Sequence, residues 1–508
     1  MSEIGASVPR KSVYPHGASL AELVREVEGA VVLGDPAARV IDVRHDSREV
    51  VPGDLFVARQ GRAVDGASFA RDAVERGAVA VAASVDLGAG LGVPVVRVPD
   101  AERALAFFSD AVWGHPSWSM DVAGVTGTNG KTTTAWLLER VLTACGATAG
   151  LIGTVAHRFG ELEWPALHTT PEADDIARRL AAMRDHGAAS VVMEVSSHAL
   201  TLSRVEAVRY RAAGFTNLTQ DHLDFHGTLA AYVAAKRRLF TELSPAVAVL
   251  NVDDPVGAEF ARLSTSPVTL SARGAKATLR VTAGGASADG VDATVETPEG
   301  PVALRSPLRG AHNVENLLLV LGMAWAMGVP YDRAAEAIAG VDGAPGRLER
   351  VAAAEGEAGF DVLVDYAHTP DALSRVLATL RLTTRGRIVC VFGCGGDRDR
   401  GKRPLMGAAV GRGADLAILT SDNPRSEDPA RIVADAEAGL RGEGADYEVI
   451  VDRRAAIARA VELARPGDVV LIAGKGHETY QEVHGRRSPF DDRVEARAAL
   501  AARVRRGG

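Results

Sequence analysis

Short apolar runs alternate with longer segments of helical spacing over most of the chain. The runs are rich in valine and alanine and end at glycine or polar residues, which is typical of buried strands. Such alternation predicts parallel sheets covered by helices on both faces. The predicted strands lie at 53–58, 78–84, 93–98, 121–127, 190–195, 212–217, 246–252, 362–367, 387–393, 415–421, 447–452 and 468–474.

Two breaks interrupt this pattern. Residues 113–117 read WGHPS and residues 343–347 read GAPGR, and glycine with proline punctuates helices and strands. A chain of 508 residues suggests about three domains, at roughly 100–200 residues each. A valine-, threonine- and glycine-rich stretch at 268–308 predicts a small antiparallel insert. The expected domains are 1–112, 113–342 and 343–508.

Composition excludes several classes of protein. Hydrophobic residues make up 47% and charged residues 24%, which is ordinary for a globular protein. The net charge of −8 gives no basic field for nucleic acid. Apolar runs are too short for a membrane span, and residues 1–12 lack the apolar region of a signal peptide. The three cysteines, Cys145, Cys390 and Cys394, favour a reducing compartment, so we expect a cytoplasmic protein.

A glycine-rich turn follows the predicted strand at 121–127, and residues 124–134 read GVTGTNGKTTT. Glycines let the backbone N–H groups approach a polyphosphate, Lys131 supplies a cation, and Thr132 can hold magnesium. Five residues rather than four separate Gly124 from Gly130, unlike the common P-loop pattern. The fold class is therefore predicted as α/β with three domains: a central P-loop parallel-sheet ATPase domain and a C-terminal Rossmann-like domain follow the first.

Polar clusters follow two further strands of the middle domain. Glu194 closes an apolar strand and could reach a magnesium ion on Thr132; a solvated glutamate is the alternative. His222 lies in the polar segment 217–227 and could ligate a second metal, although such a segment also resembles a helix cap. Lys236 lies on an amphipathic helix, where composition alone favours exposure to solvent.

Charged residues also follow successive strands of the last domain. Together they would form a pocket for a zwitterionic or dicarboxylic ligand. These residues are Arg398, Arg425, Lys475, His477 and Glu478.

Taken in order, these motifs resemble the Mur ligases of bacterial cell-wall synthesis. The resemblance extends from Asp46 to Glu478, and the pair GCGGDRD and DNPR is typical of the diaminopimelate-adding branch. The motifs are GVTGTNGKTTT, HTTPEA, MEVSSHAL, NLTQDHLDFHG, GAHNVEN, GRLE, DYAHTPDAL, GCGGDRDRGKRPLMG, DNPR and AGKGHE.

The resemblance implies an ATP-dependent amide ligase that uses ATP and Mg²⁺ in peptidoglycan precursor synthesis. Its first domain would hold the UDP end of the substrate, the middle domain ATP, and the last domain the incoming amino acid. ATP would phosphorylate the D-glutamyl carboxylate of a UDP-muramoyl dipeptide, and the amine of diaminopimelate would attack this acyl phosphate. The partners would be these small molecules, without nucleic acid or a membrane span, and we expect a monomer.

The resemblance also implies site residues. Those matching UDP-substrate positions are Ser47, Arg62, Ala63, Val64, Thr169, Thr170, Ser196 and Arg204. Those matching ATP positions are Gly127, Thr128, Asn129, Gly130, Lys131, Thr132, Thr133, Asn313, Arg347 and Asp365. Those matching the amino-acid pocket are Arg398, Asp422, Asn423, Pro424, Arg425, Gly474 and Glu478. The metal ligands would be Thr132, Glu194, His222 and Lys236 as its carbamate, and the catalytic residues Lys131, Glu194, His222 and Lys236.

Three other functions remain open from the residues. Folylpolyglutamate synthetase shares the phosphate loop and the lysine, but should lack the DNPR motif and the first domain. A P-loop kinase or motor ATPase would need no amine acceptor. A nucleotide-binding regulatory protein without turnover would have no need of Lys131, Glu194, His222 and Lys236.

Overall fold

The computed structural model describes residues 18–507, except 62, 63, 89, 288 and 353–358. The signal-peptide prediction and the predicted site residues Arg62 and Ala63 lie outside the described residues. The chain divides into two compact units. Unit 1 comprises Met1–Arg280, Glu296–Gly300 and Leu318–Ala337, and unit 2 comprises Val281–Val295, Pro301–Leu317 and Ile338–Gly508. The three-domain boundaries stay a prediction.

The first part of unit 1 contains a five-stranded sheet of order β2-β7-β6-β5-β4. Strands β4 to β7 are parallel and β2 pairs antiparallel at one edge. The three strands predicted here are confirmed as β5, β6 and β7. The elements are β1 (Ala18–Ser19), α1 (Leu20–Leu23), β2 (Val31–Leu33), β3 (Arg39–Val40), β4 (Asp42–Arg44), β5 (Asp54–Ala58), α2 (Ala70–Glu75), β6 (Ala80–Ala83), β7 (Val95–Arg97) and α3 (Ala101–Val112).

The predicted linker at 113–117 begins where α3 ends, but its first residue is not exposed. The side chain of Trp113 is buried, and its indole N–H donates to Asp42 Oδ1 at 3.0 Å. Arg178 also donates to the Asp42 carboxylate, at 3.3 Å. A buried indole on a paired carboxylate fixes this part of the chain, so Trp113 belongs to the core rather than to a solvated linker.

The rest of unit 1 contains the sheet that carries the phosphate loop. Its strand order is β11-β10-β9-β12-β8-β13-β14-β15, and the six strands from β9 to β15 in that order are parallel. The elements are β8 (Asp121–Thr126), α4 (Lys131–Ala144), β9 (Ala149–Ile152), β10 (His157–Phe159), β11 (Leu162–Trp164), α5 (Ala173–Asp185), β12 (Ser190–Glu194), α6 (Ser197–Thr201), β13 (Ala212–Phe215), α7 (Leu223–His226), α8 (Leu229–Thr241), β14 (Val247–Asn251), α9 (Pro255–Leu263) and β15 (Pro267–Ser271).

The middle strands of this sheet are covered on both faces. Residues 122–126 of β8 and all residues of β12 and β13 are buried, as expected of central parallel strands without a polar face. Because β8, β12 and β13 are neighbours and run in the same direction, their carboxyl ends lie at one edge of the sheet. The loops after these three strands carry the predicted phosphate and metal residues.

The predicted antiparallel insert at 268–308 starts later than expected. Strand β15 pairs in parallel with β14. Its Val268 and Leu270 are buried, so β15 belongs to the apolar parallel sheet rather than to an antiparallel insert. Three neighbouring strands follow, joined by short turns that require antiparallel pairing. The boundary between the two units runs through them. The elements are β16 (Leu279–Ser287), β17 (Gly290–Thr297), β18 (Gly300–Ser306), α10 (Ala311–Ala326) and α11 (Tyr331–Ala339).

Unit 2 contains a second, mostly parallel sheet of order β19-β20-β24-β21-β22-β23, with β19 antiparallel at the edge. All five strands predicted after residue 343 are confirmed. The elements are β19 (Glu349–Arg350), β20 (Asp361–Asp365), α12 (Pro370–Thr383), β21 (Ile388–Cys394), α13 (Lys402–Gly413), β22 (Leu416–Ser421), α14 (Pro429–Gly442), β23 (Tyr447–Val449), α15 (Arg453–Leu463), β24 (Val469–Ala473), β25 (Tyr480–Val483), β26 (Arg486–Pro489) and α16 (Asp492–Gly507).

Two details agree with the composition. Cys390 and Cys394 are buried free thiols within β21, so they pack in the core. Within the described ranges, every helix is too short or too polar to cross a lipid bilayer.

Candidate active site

The phosphate loop joins the end of β8 to the start of α4. Gly127 has a φ of 144° and Gly130 a φ of 88°, values that side chains disfavour. A Cβ added at Gly127 would lie 1.8 Å from Thr216 Oγ1. Glycine is therefore required where the loop passes β13, and the loop leads directly into the N-terminus of α4, the kind of helix end at which phosphate binds.

Asn217, at the end of β13, fixes the shape of this loop. Its backbone carbonyl accepts from Thr128 N at 2.8 Å, its Oδ1 accepts from Asn129 N at 3.1 Å, and its Nδ2 donates to Asn129 O at 3.1 Å. Tyr232 shares a hydrogen bond of 3.1 Å with the Thr128 hydroxyl. The neighbouring strand and helix thus hold the loop in place without a ligand.

Two lysines lie beside the loop. Lys131 Nζ donates to the carbonyls of Gly127 and Thr128 at 2.9 and 2.8 Å. Lys236 Nζ, from α8, donates to the same Gly127 carbonyl at 2.8 Å. The side chain of Lys236 is only 1% exposed, so the expectation of a solvent-exposed lysine from composition alone is wrong. The burial comes from packing of α8 on the loop, which composition does not encode.

Lys236 lies in an environment that disfavours its charged form. Burial, and then the charge of Lys131, hold the pKa of Lys236 well below its ordinary value. Its Nζ also lies 4.6 Å from the centroid of the Tyr232 ring. Lowering the pKa of a lysine increases its fraction of neutral amine, which is the form that reacts with carbon dioxide.

Glu194, at the end of β12, links the start of α4 to the segment after β9 through hydrogen bonds. Its Oε2 accepts from Thr132 Oγ1 at 3.0 Å, and its Oε1 accepts from Thr154 N at 2.7 Å. The carboxylate is 1% exposed. A buried carboxylate beside a hydroxyl at the start of α4 is a donor set that suits Mg²⁺, which prefers oxygen ligands and phosphate oxygens. The two predicted metal residues are therefore in contact.

His222 is the N-cap residue before α7 and has a left-handed backbone, φ 52°. Burial lowers the pKa of His222 to about 4, although the carboxylate of Asp221 acts in the opposite direction. Its ring lies edge-on to His198, with centroids 4.7 Å apart. The imidazole is therefore neutral at pH 7, as a metal ligand must be.

The predicted UDP-substrate residues of the middle domain form a connected group. Thr170 Oγ1 donates to Glu194 O at 2.8 Å and accepts from Ser196 N at 3.0 Å. Thr169 shares a 3.0 Å hydrogen bond with Thr154. Arg204 donates to Thr170 O at 3.2 Å. This group lies directly beside the carboxylate of Glu194.

One partner of Arg204, Glu172, is absent from the predicted site residues, and it also binds a second arginine. Its guanidinium forms an ion pair with Glu172, and Glu172 also accepts from Arg59 at 2.8 Å. Of the remaining predicted UDP-substrate residues, Ser47 is buried in a short 3₁₀ helix (Ser47–Glu49) that Asp46 caps at its N-terminus. Val64 is 55% exposed. The structure connects neither of these two to the group around Thr170.

In unit 2, three residues match nucleotide positions. Asn313 is buried and donates to Arg309 O at 2.7 Å. Asp365, at the end of β20, accepts from Leu348 N and Ala367 N, each at 2.7 Å. Burial raises the pKa of Asp365, although Arg347 opposes this. The guanidinium of Arg347 lies 4.8 Å from the centroid of the Tyr366 ring.

The predicted amino-acid residues lie at the ends of β22 and β24. Asn423 Nδ2 donates to Glu478 Oε2 at 2.8 Å. A Cβ added at Gly474, which has a φ of 116°, would lie 2.7 Å from Asp422 Oδ2. Arg425 has a φ of 52°, and its Nη1 donates to Gly396 O at 2.7 Å. These residues form one connected group. Arg398 is exposed on the loop after β21, and the described contacts do not join it to this group.

Several residues that shape these sites were missing from the prediction. Asn217, Tyr232 and Thr154 fix the loop and Glu194. Asn217 and Thr154 each follow a strand, which is the one sequence signal they share with the predicted residues. Arg453 lies fully buried under β22 and β24, and its Nη2 donates to Asp492 Oδ2 at 2.7 Å and to Ala473 O at 2.9 Å. Its partner is 39 residues away in sequence, which no local motif reveals.

Comparison with known proteins shows the family to which the three parts of the chain belong. Residues 40–112 match the catalytic domain of the Mur ligase family, residues 125–324 the Mur ligase middle domain, and residues 346–476 the Mur ligase glutamate ligase domain. A relative from Geobacillus thermodenitrificans, UDP-N-acetylmuramoyl-L-alanyl-D-glutamate–2,6-diaminopimelate ligase, is 46% identical over 91% of this chain and 95% of its own length. The chain belongs to the Mur ligase family.

Two solved structures of Mur ligases show the same fold. The structure of a UDP-N-acetylmuramoyl-L-alanyl-D-glutamate–2,6-diaminopimelate ligase has a TM-score of 0.68 and 35% identity, covering 96% of this chain and 99% of that one. The MurF ligase from Thermotoga maritima in complex with ADP has a TM-score of 0.61 and 18% identity, covering 92% of this chain and 98% of that one. The prediction of a Mur ligase with α/β domains is confirmed.

Proposed function

We propose that this Mur ligase adds 2,6-diaminopimelate to UDP-N-acetylmuramoyl-L-alanyl-D-glutamate in an ATP-dependent reaction. The observation that carries the proposal is the identity, along nearly the whole chain, to a relative named as this ligase. The DNPR segment supports it further, because Arg425 offers a guanidinium beside the carboxylate and amide groups of the amino-acid pocket. The reaction forms an amide bond and belongs to peptidoglycan precursor synthesis.

The phosphate loop would hold the ATP polyphosphate. Lys131 Nζ would exchange its contacts with the carbonyls of Gly127 and Thr128 for contacts with phosphate oxygens, beside the backbone amides of the loop. Gly127 and Gly130 permit this close approach. The bound ADP named for the T. maritima structure supports nucleotide use by the same fold.

Thr132, Glu194, His222 and Lys236 would hold Mg²⁺, with Lys236 acting as its carbamate. Bound magnesium would neutralise charge on the transferring phosphoryl group. Glu194 is oriented for this by Thr154, and the lowered pKa of His222 favours the neutral imidazole that can ligate a metal. The lowered pKa of Lys236 supports its reaction with carbon dioxide, because the neutral amine is the reactive form.

Acyl transfer would proceed in two steps. The D-glutamyl carboxylate attacks the terminal phosphorus of ATP, and ADP leaves. The amine of diaminopimelate then attacks the acyl carbon through a tetrahedral intermediate, phosphate leaves, and the amine loses a proton. The protein contributes position and a preorganised field of amides and cations.

Selectivity for diaminopimelate would come from Arg425. This amino acid carries a second carboxylate at its far end, which lysine lacks. A guanidinium can bind a carboxylate with two parallel hydrogen bonds, and with lysine bound the guanidinium would be left without this partner.

The proposal also includes a monomer in the cytoplasm, where free thiols such as Cys390 and Cys394 persist.

The proposal is tested with the purified protein, ATP, Mg²⁺ and UDP-N-acetylmuramoyl-L-alanyl-D-glutamate. ADP release is measured with diaminopimelate, lysine or no amino acid, and the products are weighed by mass spectrometry. We expect ADP release and a heavier muropeptide precursor only in the reaction to which diaminopimelate is added. Consumption of ATP without a heavier product, or equal rates with lysine and diaminopimelate, would overturn the proposal.

A further inference from the structure

A buried ammonium group lies behind the amino-acid pocket. The side chain of Lys475, in the loop after β24, is 0% exposed. Its Nζ donates to Asn423 Oδ1 at 3.2 Å and to Glu478 Oε2 at 3.1 Å, and lies 5.5 Å from the centroid of the Tyr480 ring. Lysine is rarely buried without a partner. Here the partners are two residues of the predicted pocket.

These contacts fix the orientation of the Asn423 side chain. Its Oδ1 accepts from Lys475 Nζ and from the backbone N of Glu482 at 2.9 Å, while its Nδ2 donates to Glu478. With both ends of the amide assigned, Asn423 has one orientation that satisfies all three partners. Removing the ammonium would leave Oδ1 with the single donor from Glu482.

The same ammonium also fixes Glu478. Both hydrogen bonds that its side chain receives, from Asn423 and from Lys475, end on Oε2. The side chain is 20% exposed and therefore reaches the surface of the pocket. With Oε2 held from behind, Oε1 is the oxygen that can meet a ligand, and a carboxylate oxygen suits the ammonium of an amino acid.

Stability alone is a weak reason for this arrangement. A buried ion pair costs about as much desolvation as it returns in attraction, and an apolar side chain of similar size can often replace it at little cost. What an apolar side chain cannot supply is a donor that orients Asn423 and Glu478 together.

We infer that Lys475 is a positioning residue of the amino-acid pocket, which orients Glu478 and Asn423 toward the amino group of the incoming amino acid. The inference rests on the proposed function, because it needs an amino-acid substrate bound at this group. Lys475 acts through its two partners and does not itself contact the substrate.

The test compares Lys475→Met with the unmodified protein in the complete reaction. Met preserves most of the volume but removes the donor. We expect the KM for diaminopimelate to rise at least about 10-fold, while the KM for ATP stays within about twofold, because a lost positioning contact weakens binding of one substrate only. Lys475→Gln keeps an N–H donor one bond shorter, and we expect it to recover part of the loss.

Two controls separate the possible results. Lys276→Met removes an exposed lysine and should leave both KM values unchanged. ATP affinity of Lys475→Met, measured by calorimetry, and its melting temperature show whether the variant is folded. An unchanged KM for diaminopimelate would overturn the inference, as would an equal rise in both KM values. If the unmodified protein gives no product with diaminopimelate, the proposed function fails instead.

Discussion

Lys131 and Lys236 direct their ammonium groups at the same atom, since the carbonyl oxygen of Gly127 accepts a hydrogen bond from each, at 2.9 and 2.8 Å. Two ammonium groups so close together would repel, and this repulsion adds to burial in lowering the pKa of Lys236. Conversion of Lys236 to an anionic carbamate would turn this repulsion into attraction and supply an oxygen ligand. This contact is the reason that we propose the carbamate on Lys236 rather than on Lys131.

Lys236→Ala should be nearly inactive, with a loss of kcat of at least about 100-fold, because it removes a proposed metal ligand. A small carboxylic acid added to the assay should restore part of the rate by taking the place of the carbamate. The measurement is ADP release with and without formate or acetate. Lys276→Ala, at an exposed lysine, should show neither effect, and full activity of Lys236→Ala would exclude the carbamate role.

How far the sequence predicts this site depends on how local each feature is. The alternation of apolar runs gives the strands, and the glycines give the phosphate loop, because both depend on neighbours in the chain. The burial of Lys236 depends on how α8 packs against a loop more than 100 residues earlier, and Arg453 pairs with Asp492 across 39 residues. The orienting roles of Asn217 and Lys475 likewise arise only once separate strands are placed side by side.

Gly127→Ala should abolish tight nucleotide binding. The new Cβ would lie 1.8 Å from Thr216 Oγ1 and 3.0 Å from Asn217 O, so the loop must move away from β13. The φ of 144° adds strain for any side chain. We expect at least about a 10-fold weaker ATP affinity by calorimetry, since amides in the displaced loop would no longer face the phosphates.

The matched control for this change is Gly442→Ala. A Cβ there meets no atom within 4 Å. Position 442 closes α14, where alanine has a higher helix propensity than glycine. ATP affinity should be the same as in the unmodified protein, and an equal loss in both variants would contradict a specific role for Gly127.

Arg425→Ala should lose diaminopimelate addition much more than ATP binding. The backbone of Arg425 is fixed by a hydrogen bond to Glu482 O at 3.0 Å, and its Nη1 by Gly396 O, so the guanidinium is held in place before substrate binds. We expect kcat/KM for diaminopimelate to fall at least about 100-fold, and selectivity over lysine to fall with it.

Arg431→Ala removes an exposed arginine from the same unit and serves as the control. Its kinetics should match those of the unmodified protein. If Arg425→Ala keeps its preference for diaminopimelate over lysine, the far carboxylate is recognised by another group.

Stability should fall as the pH drops below about 6.5, in part because of His157. Burial, and then the charge of Arg179, lower the pKa of His157 to about 3, and the Arg179 guanidinium donates to its Nδ1. The unfolded chain takes up this proton near pH 6.5, whereas the folded chain does so only near pH 3. Protons therefore favour the unfolded state, and this contribution is present above pH 6.5 and lost as the pH falls toward 3.

The slope in this range is up to about 1.4 kcal/mol per pH unit for one such histidine. His157→Gln removes the titrating group, so its free energy of unfolding should fall less steeply between pH 6 and 4 than that of the unmodified protein, as measured with urea at a series of pH values. Carboxylates titrate alike in both proteins and cancel in the difference. His484→Gln makes the same exchange at an exposed histidine and is the matched control for the substitution itself. Identical slopes for His157→Gln and the unmodified protein would show that His157 is not held neutral in the fold.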